Sequence, residues 1–142
     1  MNGMSKILVV DDENDFVELV SFNLKHHGHE VLTALSGLEA LKQARRFLPD
    51  TIVMDVMMPG IDGFSVCEIL RNQPVTKAIP VIMYTALTGQ IARMNGIQAG
   101  ADDYLIKPFK MQELVARVEK ALERRKSKTL ESPPVPNSQS PR

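Results

Sequence analysis

Two patterns of hydrophobic and polar positions take turns along the chain. "KILVV", Lys6 to Val10, is a short β-branched run followed by acids, as expected of a strand covered on both faces. From Asp15 to His27 the apolar positions Phe16, Leu19, Val20 and Leu24 recur at helical spacing instead, and Gly28 stands where a left-handed C-terminal turn would end the helix. The cycle then repeats. A strand is predicted over Glu30–Ala34, and Ser36 and Glu39 stand at capping-box spacing for a helix reaching Phe47. Strands over Thr51–Asp55, Pro80–Tyr84 and Asp103–Lys107 alternate with helices over Gly63–Asn72, Gly89–Ala99 and Lys110–Arg125. Five strands alternating with five helices require crossover connections, so the fold expected is α/β and doubly wound, a parallel sheet with helices on both faces. Sites in such sheets form at the carboxyl ends of the strands.

After Lys126 the pattern stops. "SKTLESPPVPNSQSPR" is rich in Ser and Pro and has no periodicity, so residues 127–142 are expected to form a disordered tail on a single domain spanning 1–126. The 142 residues, 44% hydrophobic and 24% charged, suffice for one domain with a real core. A formal net charge of zero excludes a chain-wide basic field that would recruit nucleic acid or membrane. Cys67 stands alone and cannot close an intramolecular disulfide. "MNGMSKILVV" lacks the apolar core of a signal peptide, and no run approaches membrane-spanning length, which favours a cytoplasmic location.

The strand ends carry the chemistry. Asp11 and Asp12 follow the first strand, Asp55 ends the third, Thr85 follows the fourth and Lys107 ends the fifth, all on one sheet edge. Crowded carboxylates repel one another by a few kcal/mol per close pair at an effective dielectric near 20, so a cation must offset them. An all-oxygen donor set suits Mg²⁺, which keeps waters and accepts phosphate oxygens as further ligands. The set then supplies what phosphoryl transfer needs: a nucleophile in Asp55, acids for a metal, a fixed cation in Lys107 and a donor in Thr85. Taken singly, Asp11, Asp12 or Asp62 reads as a helix cap, Lys107 as an ion-pair partner and Thr85 as a turn residue; the combination on one edge sets those readings aside for Asp11, Asp12, Lys107 and Thr85. His26, His27 and His29 lie near a helix end, where solvated histidines are the ordinary case. Met54, Met57 and Met58 read as packing and loop residues, and Cys67 as helix packing.

"VVDDE", "DVMMPGIDG", the pair Thr85–Ala86 and "GADDYLIKPF" together resemble the receiver domain of bacterial two-component response regulators, over about residues 5 to 125. The resemblance implies a flavodoxin-like sheet of order 2-1-3-4-5. It makes Asp55 the phosphoacceptor, gives Mg²⁺ the ligands Asp12, Asp55 and the Met57 backbone carbonyl, and has Asp11 act through metal-bound water. Thr85 and Lys107 would hold phosphoryl oxygens, a cis bond would precede Pro108, and Tyr104 matches the aromatic whose rotamer reports activation. The implied partners are a sensor histidine kinase or phosphotransfer protein and a downstream protein target, and the only chemistry catalysed is the domain's own phosphorylation and dephosphorylation. Met57 and Leu87 would flank the phosphoryl group, and neither side chain can orient an attacking water, so slow self-dephosphorylation is expected.

Two features bear on output. "ELVARV" (Glu113 to Val118), Arg93 and "ADDY" are similar to the transcription-factor branch of receivers, whose active dimers would pair Arg93 with Glu113 and Asp103 with Arg117 across a two-fold axis. Asp102 and Arg124 complete this face. The tail resembles no DNA-binding module, so the chain is either a stand-alone switch or the receiver of a longer DNA-binding regulator. A Mg²⁺-dependent aspartyl phosphohydrolase is the enzyme alternative, although that class wants a second acid where this chain has Met57. A flavin-binding protein would want a phosphate-cradling loop in place of "DDEN".

Overall fold

The computed structural model describes residues 4–87 and 89–131, with side chains described as far as Lys126. The elements run β1 (Lys6–Val10), α1 (Asn14–His26), β2 (Glu30–Ala34), α2 (Gly37–Phe47), β3 (Thr51–Asp55), α3 (Gly63–Arg71), β4 (Val81–Thr85), α4 (Gln90–Ala99), β5 (Asp103–Ile106) and α5 (Met111–Glu131). The five strands form one parallel sheet in the order β2-β1-β3-β4-β5. The doubly wound α/β architecture agrees with the sequence pattern, and the strand order with what the family resemblance implies.

Strand alternation divides the core in two. Ile7, Val9, Val53, Ile82 and Tyr84 pack with Val17, Val20 and Leu24 of α1 and with Leu114, Val115 and Val118 of α5. Leu8, Val10, Ile52, Met54, Val81 and Met83 face the other way, onto Ala40, Ala44, Val66, Cys67 and Leu70 of α2 and α3. Every residue of β3 and β4 is buried, so these strands lack a polar face. Truncating Ile82 or Leu70 to alanine would cost about 2 to 5 kcal/mol.

Local signals mostly do what the residue types dictate. Helix α1 ends in a Schellman turn at Gly28 (φ 90°), with Gly28 N–H donating to Lys25 O (2.9 Å) and His29 N–H to Leu24 O (3.2 Å). Ser36 Oγ accepts from Glu39 N–H at 3.1 Å, while the Glu39 carboxylate accepts from Leu35 N–H (2.9 Å), one residue before the expected cap. Asp62 caps α3 by accepting from Ser65 N–H at 2.8 Å.

Several boundaries move. Strand β4 begins at Val81 because Pro80 has no N–H to donate, though its carbonyl still accepts from Ile52 N–H (2.9 Å); the strand gains Thr85 at its other end. Helix α4 starts at Gln90 rather than Gly89, whose φ of 98° is not helical. Strand β5 stops at Ile106, and α3 one residue earlier than expected, at Arg71. Helix α5 continues past Arg125 to Glu131, since Lys126, Lys128, Leu130 and Glu131 are good helix formers and no proline intervenes before Pro133. The expected tail thus begins inside a helix, and its remainder, 132–142, lies outside the described residues.

Close contacts fix the two ends of α3 against opposite ends of the sheet. A Cβ on Gly63 would lie 2.5 Å from the Asp55 carbonyl oxygen, so only glycine lets α3 start against the end of β3. Arg71, the last residue of α3, donates to Gly100 O (3.0 and 2.7 Å), Ile79 O (2.7 Å), Lys77 O (3.2 Å) and Asp102 Oδ2 (2.8 Å), tying α3 to the segments before β4 and β5.

Candidate functional site

Parallel register brings the carboxyl ends of β1, β3, β4 and β5 to one edge, and the chain places a polar residue at each. Asp11 is fully buried just after β1. Its Oδ1 accepts from Glu13 N–H (2.9 Å) and its Oδ2 from the Tyr84 hydroxyl (2.8 Å). Asp12 beside it is exposed. Asp55 closes β3 with 7% of its surface exposed, and Met57 N–H donates to its Oδ1 at 3.2 Å. Carboxylate oxygens of Asp11, Asp12 and Asp55 lie within 4.8 Å of one another, the one potential metal-ligand group of three or more His, Cys, Asp or Glu among the described residues.

Such a donor set fits a hard divalent cation. Burial, reinforced by the Asp11 and Asp12 charges, raises the Asp55 carboxyl from its ordinary 3.8 to about 6, although the Met57 N–H and Lys107 pull the other way. A pocket that penalises its own negative charge favours a cation that offsets it.

Lys107, one residue past β5 and joined to Pro108 by a cis peptide, places Nζ 3.9 Å from Asp55 Oδ2. The same ammonium lies 4.7 Å from the Phe16 ring centroid and 5.2 Å from that of Tyr84. Thr85 is fully buried and its Oγ1 accepts from Leu87 N–H at 3.3 Å. Asp11, Asp12, Asp55, Thr85 and Lys107 therefore share the edge on which the sequence placed them. Met57 stands at the rim with 54% exposure and Leu87 with 36%.

Tyr104 points inward at 6% exposure. Its ring packs against Gly96, with the Arg93 guanidinium 5.9 Å from its centroid, and burial raises its phenol. Its hydroxyl is buried without a hydrogen-bond partner. The residues expected on a dimer face are largely engaged within the chain: Asp103 pairs with Arg117 (2.5 Å), Arg117 with Glu113 (3.2 Å), and Asp102 turns back to Arg71 and to Val81 N–H (2.8 Å). Arg124 is exposed on α5. The three histidines form no metal group; His29 Nε2 meets Glu119 at 2.7 Å.

Tyr84, Phe16 and Phe109 were not legible as site residues. They form an aromatic floor, with Tyr84 centroids 5.2 Å from Phe16 and 5.8 Å from Phe109. One signal was present: a tyrosine in an otherwise aliphatic central strand must find a partner for its hydroxyl.

Comparison with known proteins agrees with this geometry. The family model described as the response regulator receiver domain matches residues 7–119. The alkaline phosphatase synthesis transcriptional regulatory protein PhoP of Bacillus subtilis is 47% identical over 119 residues, 84% of this chain and 49% of that protein. Response regulator PleD of Caulobacter vibrioides is 48% identical over 114 residues, 80% of this chain and 25% of that protein. The chain thus spans about half or less of these curated relatives. Among solved structures, the Francisella response regulator 1452 receiver domain superposes with a TM-score of 0.80 at 36% identity, covering 85% of this chain and 98% of that one. Vibrio cholerae chemotaxis protein CheY4 also gives 0.80 at 36% identity, over 84% of this chain and all of the other. Fold, sheet-edge constellation and sequence likeness agree, and the chain belongs to the response regulator receiver domain family.

Proposed function

We propose that the chain is a phosphorylation-dependent switch in a two-component phosphorelay, with Asp55 as its phosphoacceptor. The observation that carries this reading is the convergence of Asp11, Asp12 and Asp55 within 4.8 Å, with Lys107 Nζ 3.9 Å from the Asp55 carboxylate. An Asp55 oxygen attacks phosphorus of a phosphohistidine on a sensor kinase or phosphotransfer protein; an O–P bond forms, the N–P bond breaks, and the electron pair returns to the imidazole. Asp12, Asp55 and the Met57 carbonyl would hold Mg²⁺, with Asp11 acting through water, and the ion would supply positive charge to offset the carboxylates and phosphoryl oxygens. Lys107 is placed to pair with one phosphoryl oxygen, and Thr85, whose Oγ1 accepts from Leu87 N–H, keeps its own proton to donate to another. The domain's catalysis is confined to gaining and losing this group.

Drawing Thr85 toward the phosphoryl group biases Tyr104 and the α4–β5–α5 face, which a downstream protein reads. A homodimer through this face is part of the same reading, favoured by the Asp103–Arg117–Glu113 chain, which offers both signs of charge. The partial coverage of relatives such as PhoP, a transcriptional regulatory protein by name, favours a second reading: the chain is the receiver of a longer DNA-binding regulator. Incubation with acetyl phosphate in the presence of Mg²⁺ should add the mass of one phosphoryl group. A gain that survives chelation or persists in Asp55→Asn would sink the assignment.

A further inference from the structure

We propose that Tyr84 is a positioning residue for the acidic pocket: its hydroxyl fixes the Asp11 carboxylate in the orientation from which the pocket takes a divalent cation. The proposal rests on the metal reading above and adds to it a residue from the sheet interior.

Tyr84 is fully buried in β4, whose other residues before Thr85 are Val81, Ile82 and Met83. A phenol hydroxyl in such surroundings loses its water and must be repartnered within the protein. Here the partner is Asp11 Oδ2 at 2.8 Å, and the phenol is pushed far up by burial and by the Asp11 charge, so it remains a donor. Asp11 is itself fully buried, and its other oxygen is held by Glu13 N–H at 2.9 Å. With one oxygen bound to backbone and the other to tyrosine, the carboxylate cannot turn about its terminal torsion. Its remaining lone pairs are set before any ion arrives.

The ring is as firmly held as the hydroxyl. Phe16 meets it at 55° and Phe109 at 64°, and the Lys107 ammonium lies 5.2 Å from its centroid. One side chain therefore touches an anion of the pocket through its edge and the cation through its face. Groups that orient a metal's carboxylates without reaching the metal control affinity through that orientation.

Calorimetric titration of the full chain with Mg²⁺ alone tests this. Tyr84→Phe keeps the ring and removes the hydroxyl, and its dissociation constant should rise roughly 10- to 100-fold. An independent readout does not depend on that variant. The chain has two tyrosines, so in Tyr104→Phe the absorption band belongs to Tyr84 alone, and saturation with Mg²⁺ should shift it to the blue as the hydroxyl's acceptor gives charge density to the ion. Wild-type affinity in Tyr84→Phe, or a band that stays still while calorimetry records binding, overturns the proposal and leaves the metal reading standing. A wild-type chain that takes up no Mg²⁺ removes both.

Discussion

Asp55, the proposed phosphoacceptor, carries its charge in a pocket that penalises it, and that penalty can be measured. A carboxyl raised from 3.8 to about 6 holds its proton more tightly in the folded chain than in the unfolded one. Without metal, its ionisation therefore weakens the fold above pH 6, and this loss is recovered as pH falls through 6 toward 4. Asp55→Asn should stabilise the metal-free protein by about 1 to 3 kcal/mol at pH 7.5, with the gain shrinking toward pH 5; denaturant unfolding at several pH values would show it, and a pH-independent difference would contradict it. Met57 and Leu87 at the rim give water no hydrogen-bonding guide, so Met57→Asn and Leu87→Glu should shorten the phosphoryl lifetime several-fold by mass-spectrometric decay. The pocket's polar residues were legible because strand ends in a parallel sheet share an edge wherever strands and helices alternate. Tyr84 was hidden because its partner lies just after β1, and nothing local to β4 indicates which carboxylate its hydroxyl reaches. Asp102 is exposed as expected, but its pairing with Arg71 was hidden for a similar reason: only the tertiary fold brings Arg71 beside it.

The elements work as spacers, and their junctions bear the sharpest constraints. Gly63→Ala would drive a methyl into the backbone of Asp55 and Val56, and should destabilise the protein by about 2 to 4 kcal/mol while slowing phosphorylation, because the turn it opens carries the proposed phosphoacceptor. Thermal unfolding together with acetyl phosphate kinetics would separate the two effects. Arg71→Lys replaces a planar fork bonded to three carbonyls and a carboxylate by a single ammonium, and should cost about 1 to 3 kcal/mol by denaturant titration. Element identity was readable throughout, since the hydrophobic period changes at each junction. Ends were less so. The start of β4 follows from the donor missing at Pro80, while the run of α5 to Glu131 reflects the absence of any breaker before Pro133.

For the molecule as a whole, assembly is set against pairs already made. Arg117 holds Asp103 and Glu113 within one chain, so a dimer using them exchanges partners rather than gaining them, and exposed pairs are worth only about 0 to 1 kcal/mol each. Association should therefore be weak, promoted by beryllofluoride with Mg²⁺, reduced by salt and abolished by Arg117→Glu. Sedimentation velocity would read it, and a chain that stays monomeric at high micromolar concentration with beryllofluoride removes this interface. Cys67 gives the chain a built-in stopwatch. Its thiol is fully buried between α3 and the sheet, and burial pushes it up to about 11. A disulfide reagent can reach this sulfur only in molecules that have opened, so labelling should run about 10⁴-fold or more slower than in the denatured chain. With no engineered probe, the colour released by one atom per molecule would time how often the interior breathes, and whether phosphorylation lengthens the interval.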